Sequence, residues 1–589
     1  MSLLRALRQA GVLRTIDDAL AQSLRRLDPE TPDEVLAAAA LASLAVAQGH
    51  AGFDPASPRT LVDNGSDIPW PDAGDWQRAL AASRWVAMPT AAADVSDASC
   101  PLVLEGPVGG PTLLYLRRYR EYERGVAAGL QRIAAQPPDA GGVELVTGGP
   151  GTGKTTTIAR MLVDLVQQAR KCARPDPRIA LAAPTGRAAE RMAESVRNAL
   201  QALAAEGADA GVIAALPTRG STLHRLLGTI PDSPRFRHLA DNPLPFDVVV
   251  VDEASMIDLP MMAKLVDAVP DGARLVLLGD PDQLPSVEAG DVLSGILRGA
   301  GNGDGMDAGG SSGGDAFPAR RTHLTRAWRQ HEALQLTSLA AAVREGDSAS
   351  ALSLLREGQL SGVHFHEGMT DPLQAHRDHL LAHWRALANA SNPAEALALA
   401  SRLRLLTAVR DGPQGARTLN ARIETLLAGA GPGSTSNRHF HGRLLLITEN
   451  SPRHRLFNGD IGICLRGDDG VVTAWFPGDT VDAPRPFHPA ALPAHDSAFA
   501  MTVHKAQGSE FEEVWLLLPA RDSRVLSREL IYTGITRARR ELHVVASADV
   551  IGTALARHAS RWSGLGWRLA DAKECASAQL LLAPKPHKR

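Results

Sequence analysis

The sequence predicts an α/β chain with two parallel-sheet domains, a helical region in front of them and a small β-rich insertion in the second. Three observations predict this. From Val143 onward, wholly apolar runs alternate with helical segments (VELVTG, RIALAAP, FDVVVVDEAS, RLVLLGD), and strands covered on both faces read as continuous apolar runs. A second series begins at LRLLTAVR near Leu403 and resumes at SAFAMTVHKAQG, EEVWLLLP and ELHVVA. Between its parts, from about Phe440 to Pro489, the pieces GRLLLIT, GDIGICL and VVTAWF are separated by Asn458-Gly459 and Asp469-Gly470, which are hairpin turn pairs. These pieces predict a small β-barrel.

In chain order, residues 1–115 are rich in Ala, Leu and Arg with helical periodicity, as in DEVLAAAALASLAVAQ, and predict a separate helical domain. Residues 116–330 form the first α/β domain, 331–435 the first part of the second, 436–492 the barrel, and 493–589 the rest of the second domain with a C-terminal tail. The run GAGNGDGMDAGGSSGGDA, Gly299–Ala316, is too poor in apolar residues to order itself and predicts a mobile loop. With 589 residues the chain is long enough for several cores. Its 62 Lys and Arg nearly balance 65 Asp and Glu, so any nucleic-acid surface must be a local groove. Four scattered cysteines without a C-x-x-C pair argue against zinc ribbons, iron–sulfur clusters and disulfide frameworks. Charge interrupts the N-terminal segment every few residues, so it holds neither a secretory core nor a membrane span. A cytoplasmic location is expected.

The chemistry starts at Gly148, Gly149, Pro150, Gly151, Thr152, Gly153, Lys154 and Thr155, which fit G-x-x-x-x-G-K-[ST] between a strand and a helix. Glycines let backbone N–H groups curl round phosphates, lysine reaches the β/γ-phosphates and the hydroxyl ligates Mg²⁺; ATP is the expected ligand. Asp252 and Glu253 end an apolar strand, where carboxylates beside such a loop hold Mg²⁺ and orient water respectively. Gln283, just past another apolar strand, is placed to sense the γ-phosphate. Arg329 in LTRAWRQ and Arg537 in YTGITRARREL are candidate cations from the far side of a cleft. A helix carrying Arg537, Arg539 and Arg540 is the solvated alternative.

The ordered set GGPGTGKT, APTGRAA, TLHRLLG, VVVDEASM, GDPDQLPSVEAG, AWRQ, LFNGDIG, AMTVHKAQGSEF and YTGITRARREL resembles the superfamily 1 DNA helicases, most closely the RecD type, the alpha subunit of exodeoxyribonuclease V or RecBCD. The resemblance covers roughly Val143 to Ala546. It implies two RecA-like motor domains, an SH3-like barrel insertion, and ATP-driven 5′→3′ movement on single-stranded DNA. A RecBCD-type heterotrimer with RecB-like and RecC-like subunits would then act on duplex ends in double-strand break repair and homologous recombination. It assigns nucleotide contact to Gly148 through Thr155, Mg²⁺ to Thr155 and Asp252, water activation to Glu253, and γ-phosphate sensing to Gln283, Arg329 and Arg537. Trp328 stands where relatives stack a tyrosine on the nucleotide base, and Glu510 is a candidate ribose contact. DNA contacts fall on Thr185, His224, Thr502, His504, Lys505 and Gln507. The adenine-reading glutamine of many helicases has no counterpart at YLRRYREYERGVAAGL.

Residues 1–115 carry no motif and are expected to dock on a large RecC-like partner. Stand-alone RecD-like helicases usually carry hairpin repeats before the phosphate loop; none is visible here, which favours a complex subunit over a free-standing helicase. A regulatory ATPase without unwinding is opposed by the DNA-contact motif between His504 and Gln507. No nuclease site is expected, since only Asp571-Ala572-Lys573 approaches one. The pairs His364/His366 and His439/His441 have strand-like spacing but no nearby cysteine or acidic ligand set, so they read as surface residues and not as a metal site.

Overall fold

Apolar side chains occupy every face of the helix Asp33–Ala47, and Val35 through Ala42 are buried without a break. A helix apolar all round is a buried helix, and the helices Leu3–Gln9, Thr15–Leu27 and Ala73–Ala81 pack about it. The region is not helical alone. β1 (Val86–Ala87), β2 (Leu102–Glu105) and β3 (Leu113–Leu116) form a three-stranded sheet, with strands too short to show as alternation beside the helical pattern. The structure, a computed structural model, describes residues 2–62, 68–89, 99–107, 110–135, 141–230, 233–301, 317–325, 334–428, 439–451, 453–478 and 483–570. Trp328, Arg329, most of the expected glycine-rich loop and Asp571–Lys573 lie outside the described residues.

The first α/β domain is a six-stranded parallel sheet of β4 (Gly142–Gly148), β5 (Ile179–Ala183), β6 (Ser221–Thr222), β7 (Val248–Val251), β8 (Arg274–Gly279) and β9 (Arg320–Leu324), in the order β6-β5-β7-β8-β4-β9. The four valines of β7 are all buried, because helices cover both faces. One of them, Lys154–Lys171, turns Ile158, Leu162 and Val166 inward at four-residue spacing. The second domain has β10 (Val363–Glu367) and β11 (Leu403–Thr407). It then carries an insertion of β12 (Leu444–Ile447), β13 (Ile461–Arg466), β14 (Val472–Phe476), β15 (Arg485–Phe487) and β16 (His495–Ser497), and returns with β17 (Ala500–Thr502), β18 (Phe511–Leu517) and β19 (Ala538–Ala546). Its main sheet is parallel, in the order β10-β19-β18-β11-β17.

The insertion is antiparallel in the order β15-β14-β13-β12-β16, so β15 and β16 are its edges. The expected barrel is therefore corrected: among the described residues the sheet stays open. Its strands are three to six residues long, and its apolar face, built on Leu445, Ile447, Cys464 and Phe476, packs with Leu456 and Phe487 into one small core.

The chain doubles back at its end. The Trp562 carbonyl accepts from Ala51 N–H at 2.8 Å, and Trp562 N–H donates to His50 Nδ1 at 3.0 Å. The helix Leu565–Ala570 then packs on the helices Val292–Gly299 and Arg117–Ala134. Arg568, only 4% exposed, makes a two-pronged bond to Glu105 at 2.7 and 2.9 Å and reaches Glu123 at 3.4 Å. Arg120 joins Glu105 at 2.6 Å, and Tyr115 donates to Glu123 at 3.0 Å. Two guanidinium groups and two carboxylates thus cancel inside the protein. Removing one partner leaves a buried charge bare, so Arg568→Ala is expected to cost about 3–5 kcal/mol, read as the shift of the urea midpoint. Arg178→Ala, at the exposed Arg178–Asp247 pair, is the control and should leave the urea midpoint nearly unchanged. Burial alone would raise the Glu105 carboxyl, but Arg568 and Arg120 outweigh it and hold it down at about 2. Its stabilisation is thus complete above the ordinary glutamate range and is lost only as pH falls towards 2.

Candidate nucleotide and DNA sites

The phosphate loop needs backbone shapes that only glycine adopts easily. Gly148, Gly151 and Gly153 have φ of 157°, 75° and 84°, and a Cβ on Gly148 would stand 2.6 Å from the Leu324 carbonyl oxygen. Thr152 Oγ1 ties the loop by donating to Gly149 O at 2.8 Å. Lys154 opens the following helix and donates to the carbonyls of Gly148 at 2.5 Å and Gly149 at 3.0 Å. The loop lines a cavity of 870 Å³ that also takes in Arg321, His323, Arg344, Glu510, Tyr532 and Arg539. Both α/β domains therefore wall it. The loop is tightly approached from the far side, since a Cβ on Gly149 would lie 3.0 Å from the Tyr532 hydroxyl.

Carboxylates gather at the end of β7 and β8. Burial and then Glu253 push the Asp252 carboxyl up, with Lys154 offsetting part. Glu253 adopts a left-handed φ of 52° and donates its N–H to Asp252 Oδ1 at 2.8 Å, a strained backbone of the kind retained at working sites. Adjacent carboxylates with one lysine for counter-charge, together with the Thr155 hydroxyl, are a hard oxygen donor set that fits Mg²⁺. Gln283 is buried and donates its amide to Asp280 Oδ2 at 3.1 Å. Asp280 also accepts from Tyr532 across the cleft at 3.2 Å. Asp280 follows buried β8 just as Asp252 follows β7, which is the sequence signal that marks it.

Arg537 is 2% exposed and lies past the end of the helix Arg528–Ile535, while Arg539 and Arg540 belong to β19. The solvated-helix alternative is thereby removed for Arg537. Its Nε donates to Thr533 O at 3.0 Å, Nη1 to Ser509 O at 3.3 Å and Nη2 to Thr536 Oγ1 at 3.3 Å. Burial lowers its pKa, and the charges of Glu253 and Glu510 counter that. Glu510 lines the cavity, but its two oxygens are engaged by Arg191 and Arg539, each at 2.7 Å. Burial would raise it, and the two arginines instead hold it at about 2. A ribose hydroxyl would have to share those oxygens. Arg191, from the helix Gly186–Ala205 of the first domain, also donates to Gly508 O at 2.6 Å; this cross-domain clasp was missed because its partners lie more than three hundred residues away.

The residues assigned to DNA separate. Gln507 is buried and donates to Leu284 O at 2.7 Å, while Leu284 N–H donates to Thr533 Oγ1 at 2.8 Å. Its amide joins the two domains. Thr185 caps the helix Gly186–Ala205 by accepting from Ala188 N–H at 3.2 Å, so its hydroxyl already has a structural duty. Burial and then Arg561 lower His504 to about 4, which keeps it a neutral imidazole at physiological pH. Lys505 is exposed and pairs with Asp496 at 3.2 Å, and Thr502 Oγ1 accepts from Lys505 N–H at 3.4 Å. His224 is exposed and stands edge-on to Phe236. Near Thr185 and His224 lies a second cavity, of 470 Å³, lined by Arg187, Arg225, Arg404, Arg455 and Arg485 against Glu190 and Asp460. Phe457 closes it, with the Arg225 guanidinium 4.1 Å from its ring centre.

Three family models match the chain: an AAA domain over 131–289, a UvrD-like helicase C-terminal domain over 497–545, and the N-terminal domain of RecBCD enzyme subunit RecD over 9–108. The RecBCD enzyme subunit RecD of Mycobacterium tuberculosis is 39% identical over 96% of this chain and 96% of its own length. The chain belongs to the RecD family. The RecD subunit of Haemophilus influenzae is 36% identical over 75% of this chain and 72% of its own. The ATP-dependent RecD2 DNA helicase of Deinococcus radiodurans is 30% identical over 70% of this chain but 48% of its own length. Among solved structures, Bacteroides Pif1 bound to single-stranded DNA overlaps 68% of this RecD-family chain and 88% of its own at 18% identity, with a TM-score of 0.35. The chain is a RecBCD-type DNA helicase subunit and an ATP-dependent enzyme.

Proposed function

We propose that this chain is the 5′→3′ single-stranded DNA motor of a heterotrimer with RecB-like and RecC-like subunits, working in the cytoplasm on duplex ends during break repair and homologous recombination. The observation that carries the motor reading is the cleft itself: the phosphate loop and Glu253 stand on one domain and buried Arg537 on the other, within each other's electrostatic reach. Thr155 and Asp252 would hold Mg²⁺, which would supply positive charge to offset that of the phosphates. Lys154 leaves the loop carbonyls for phosphate oxygens, Glu253 orients the attacking water, and Gln283 senses the γ-phosphate through Asp280 and Tyr532. Arg329 is proposed to share γ-phosphate sensing with Arg537, and Trp328 to stack on the base. Closure forms when an anion lies between the domains and relaxes when it leaves, and the Gln507–Leu284 and Leu284–Thr533 bonds pass that movement between them. No helix among the described residues is long and apolar enough to cross a membrane.

The arginine-lined cavity is the place where the first domain and the antiparallel insertion grip the strand, with Phe457 offering a ring for base stacking. Thr185, His224, Thr502, His504 and Lys505 are then peripheral contacts. Arg225→Ala is expected to weaken single-stranded DNA binding severalfold and to reduce the slope of log affinity against log salt by about 1, measured by fluorescence anisotropy. The direct test of the motor reading is strand displacement by the assembled complex with the partner motor inactivated. Unwinding of 5′-tailed but not 3′-tailed duplexes is expected, and the reverse preference would overturn the direction.

A further inference from the structure

Parallel sheets are ordinarily apolar on both faces, yet one face of the second domain's sheet is not. Register pairs His364 with His543 and Glu541 with Glu513, and Trp515 with His543. Alternate residues share a face, so His364 and His366 of β10, Glu541 and His543 of β19, and Glu513 of β18 lie together. The opposite face carries buried Leu542, Val544, Val514 and Leu516. His376 and His379, from the start of the helix Arg377–Ala388, cover the polar face. Five of the chain's 19 histidines thus meet in one place, which scattered surface use does not explain.

His543 has one nitrogen accounted for and one not. Its ring stacks on Trp515 at 4.0 Å and on His364 at 4.6 Å, and its Nδ1 lies 3.0 Å from His366 Nε2. Its Nε2 is buried with no hydrogen-bond partner. The nearest acceptors, Glu541 Oε2 at 3.7 Å and Glu513 Oε1 at 3.8 Å, are too distant for a hydrogen bond. In the tautomer that donates Nδ1–H to His366, the Nε2 lone pair faces the carboxylates, and a cation between them turns that repulsion into attraction. One ligand atom from each of His364, Glu541 and His543 falls within 4.8 Å of the others. Bonds of about 2.0–2.1 Å at tetrahedral angles require about 3.4 Å between ligand atoms, a contraction that exposed His364 and Glu541 can make by rotation.

We propose that His364, His543 and Glu541 form a binding site for Zn²⁺, stapling edge strand β10 to β19. Two imidazoles and one carboxylate suit a borderline divalent metal, whereas Mg²⁺ prefers oxygen alone. The supporting groups are present. His366 Nε2 lies within hydrogen-bond reach of His543 Nδ1 and can hold the tautomer whose Nε2 is a ligand, and Glu513 is anchored by accepting from Trp515 Nε1–H at 2.6 Å and from His379 at 2.8 Å. The neighbouring Glu367 is taken up by Arg356, and the acidic ligand arrives instead from a strand some 175 residues later.

The test uses the full chain, washed with chelator and titrated with Zn²⁺ alone against a chromophoric competitor. One Zn²⁺ per chain with a low-micromolar or tighter dissociation constant is expected, with a rise of the thermal midpoint on adding Zn²⁺. His364→Gln and Glu541→Gln, both at exposed positions, should fold normally, weaken binding by about tenfold or more and abolish the thermal response. His439→Gln, at the separate histidine pair with His495, should change neither. Unchanged affinity in both ligand variants, or no Zn²⁺ bound by the unaltered chain at tens of micromolar, overturns the site.

Discussion

Exchanging Lys154 for glutamine is expected to cut DNA-stimulated ATP hydrolysis about 10³-fold and to weaken nucleotide binding with it. The ammonium group does two jobs. It is the phosphate loop's own cation, at present spent on the carbonyls of Gly148 and Gly149, and it is the charge that offsets the burial-driven rise of Asp252 and Asp280. A neutral amide leaves phosphates and carboxylates facing one another without it. Glutamine favours helices almost as well as lysine, so the circular dichroism spectrum should not change. A folded variant with near-normal turnover would remove Lys154 from the chemistry.

For Arg537→Ala, turnover should fall about 10³-fold or more, while nucleotide affinity changes far less. The guanidinium is held by three neutral acceptors of its own domain, and a countercharge that it feels, Glu253, stands on the other. Its position is therefore set before nucleotide arrives, and its charge is free for the developing phosphoryl charge. Arg537→Lys keeps the charge but not the fork that satisfies three acceptors, so it should recover only part of the rate. Nucleotide affinity, single-turnover hydrolysis and strand displacement, measured together in the assembled complex, separate binding from catalysis. Retained hydrolysis and displacement in Arg537→Ala would defeat the closing-cleft mechanism.

Local signals were legible and distant ones were not. The four valines before Asp252 announce β7, and the glycines of the phosphate loop announce their own turn, because the causes lie within a few residues. The cross-domain bond of Gln507 is invisible in sequence because its acceptor, Leu284, is 223 residues away. Arg537 read ambiguously because helix or strand end looks alike in TRARREL, and only packing buries it. The insertion showed its hairpins through Asn-Gly and Asp-Gly, yet whether its edges meet depends on strand tilt, which no turn pair encodes. The N-terminal sheet escaped notice because strands of two to four residues leave almost no alternation to see.

The returning C-terminal segment bears on how the protein is made. Glu105 leaves the ribosome long before Arg568, 463 residues later, and at about 5–20 residues per second that gap lasts roughly 20–90 s. Throughout it the Glu105–Arg120–Glu123 cluster lacks its second guanidinium, and Phe53 lacks the Trp562 ring that it meets edge-on. The N-terminal domain therefore cannot finish folding as it is synthesised. It waits, incomplete, for the last residues of the chain, and a nascent chain stalled after the second sheet but before Trp562 should be cut by protease at the N-terminal domain more readily than the released protein.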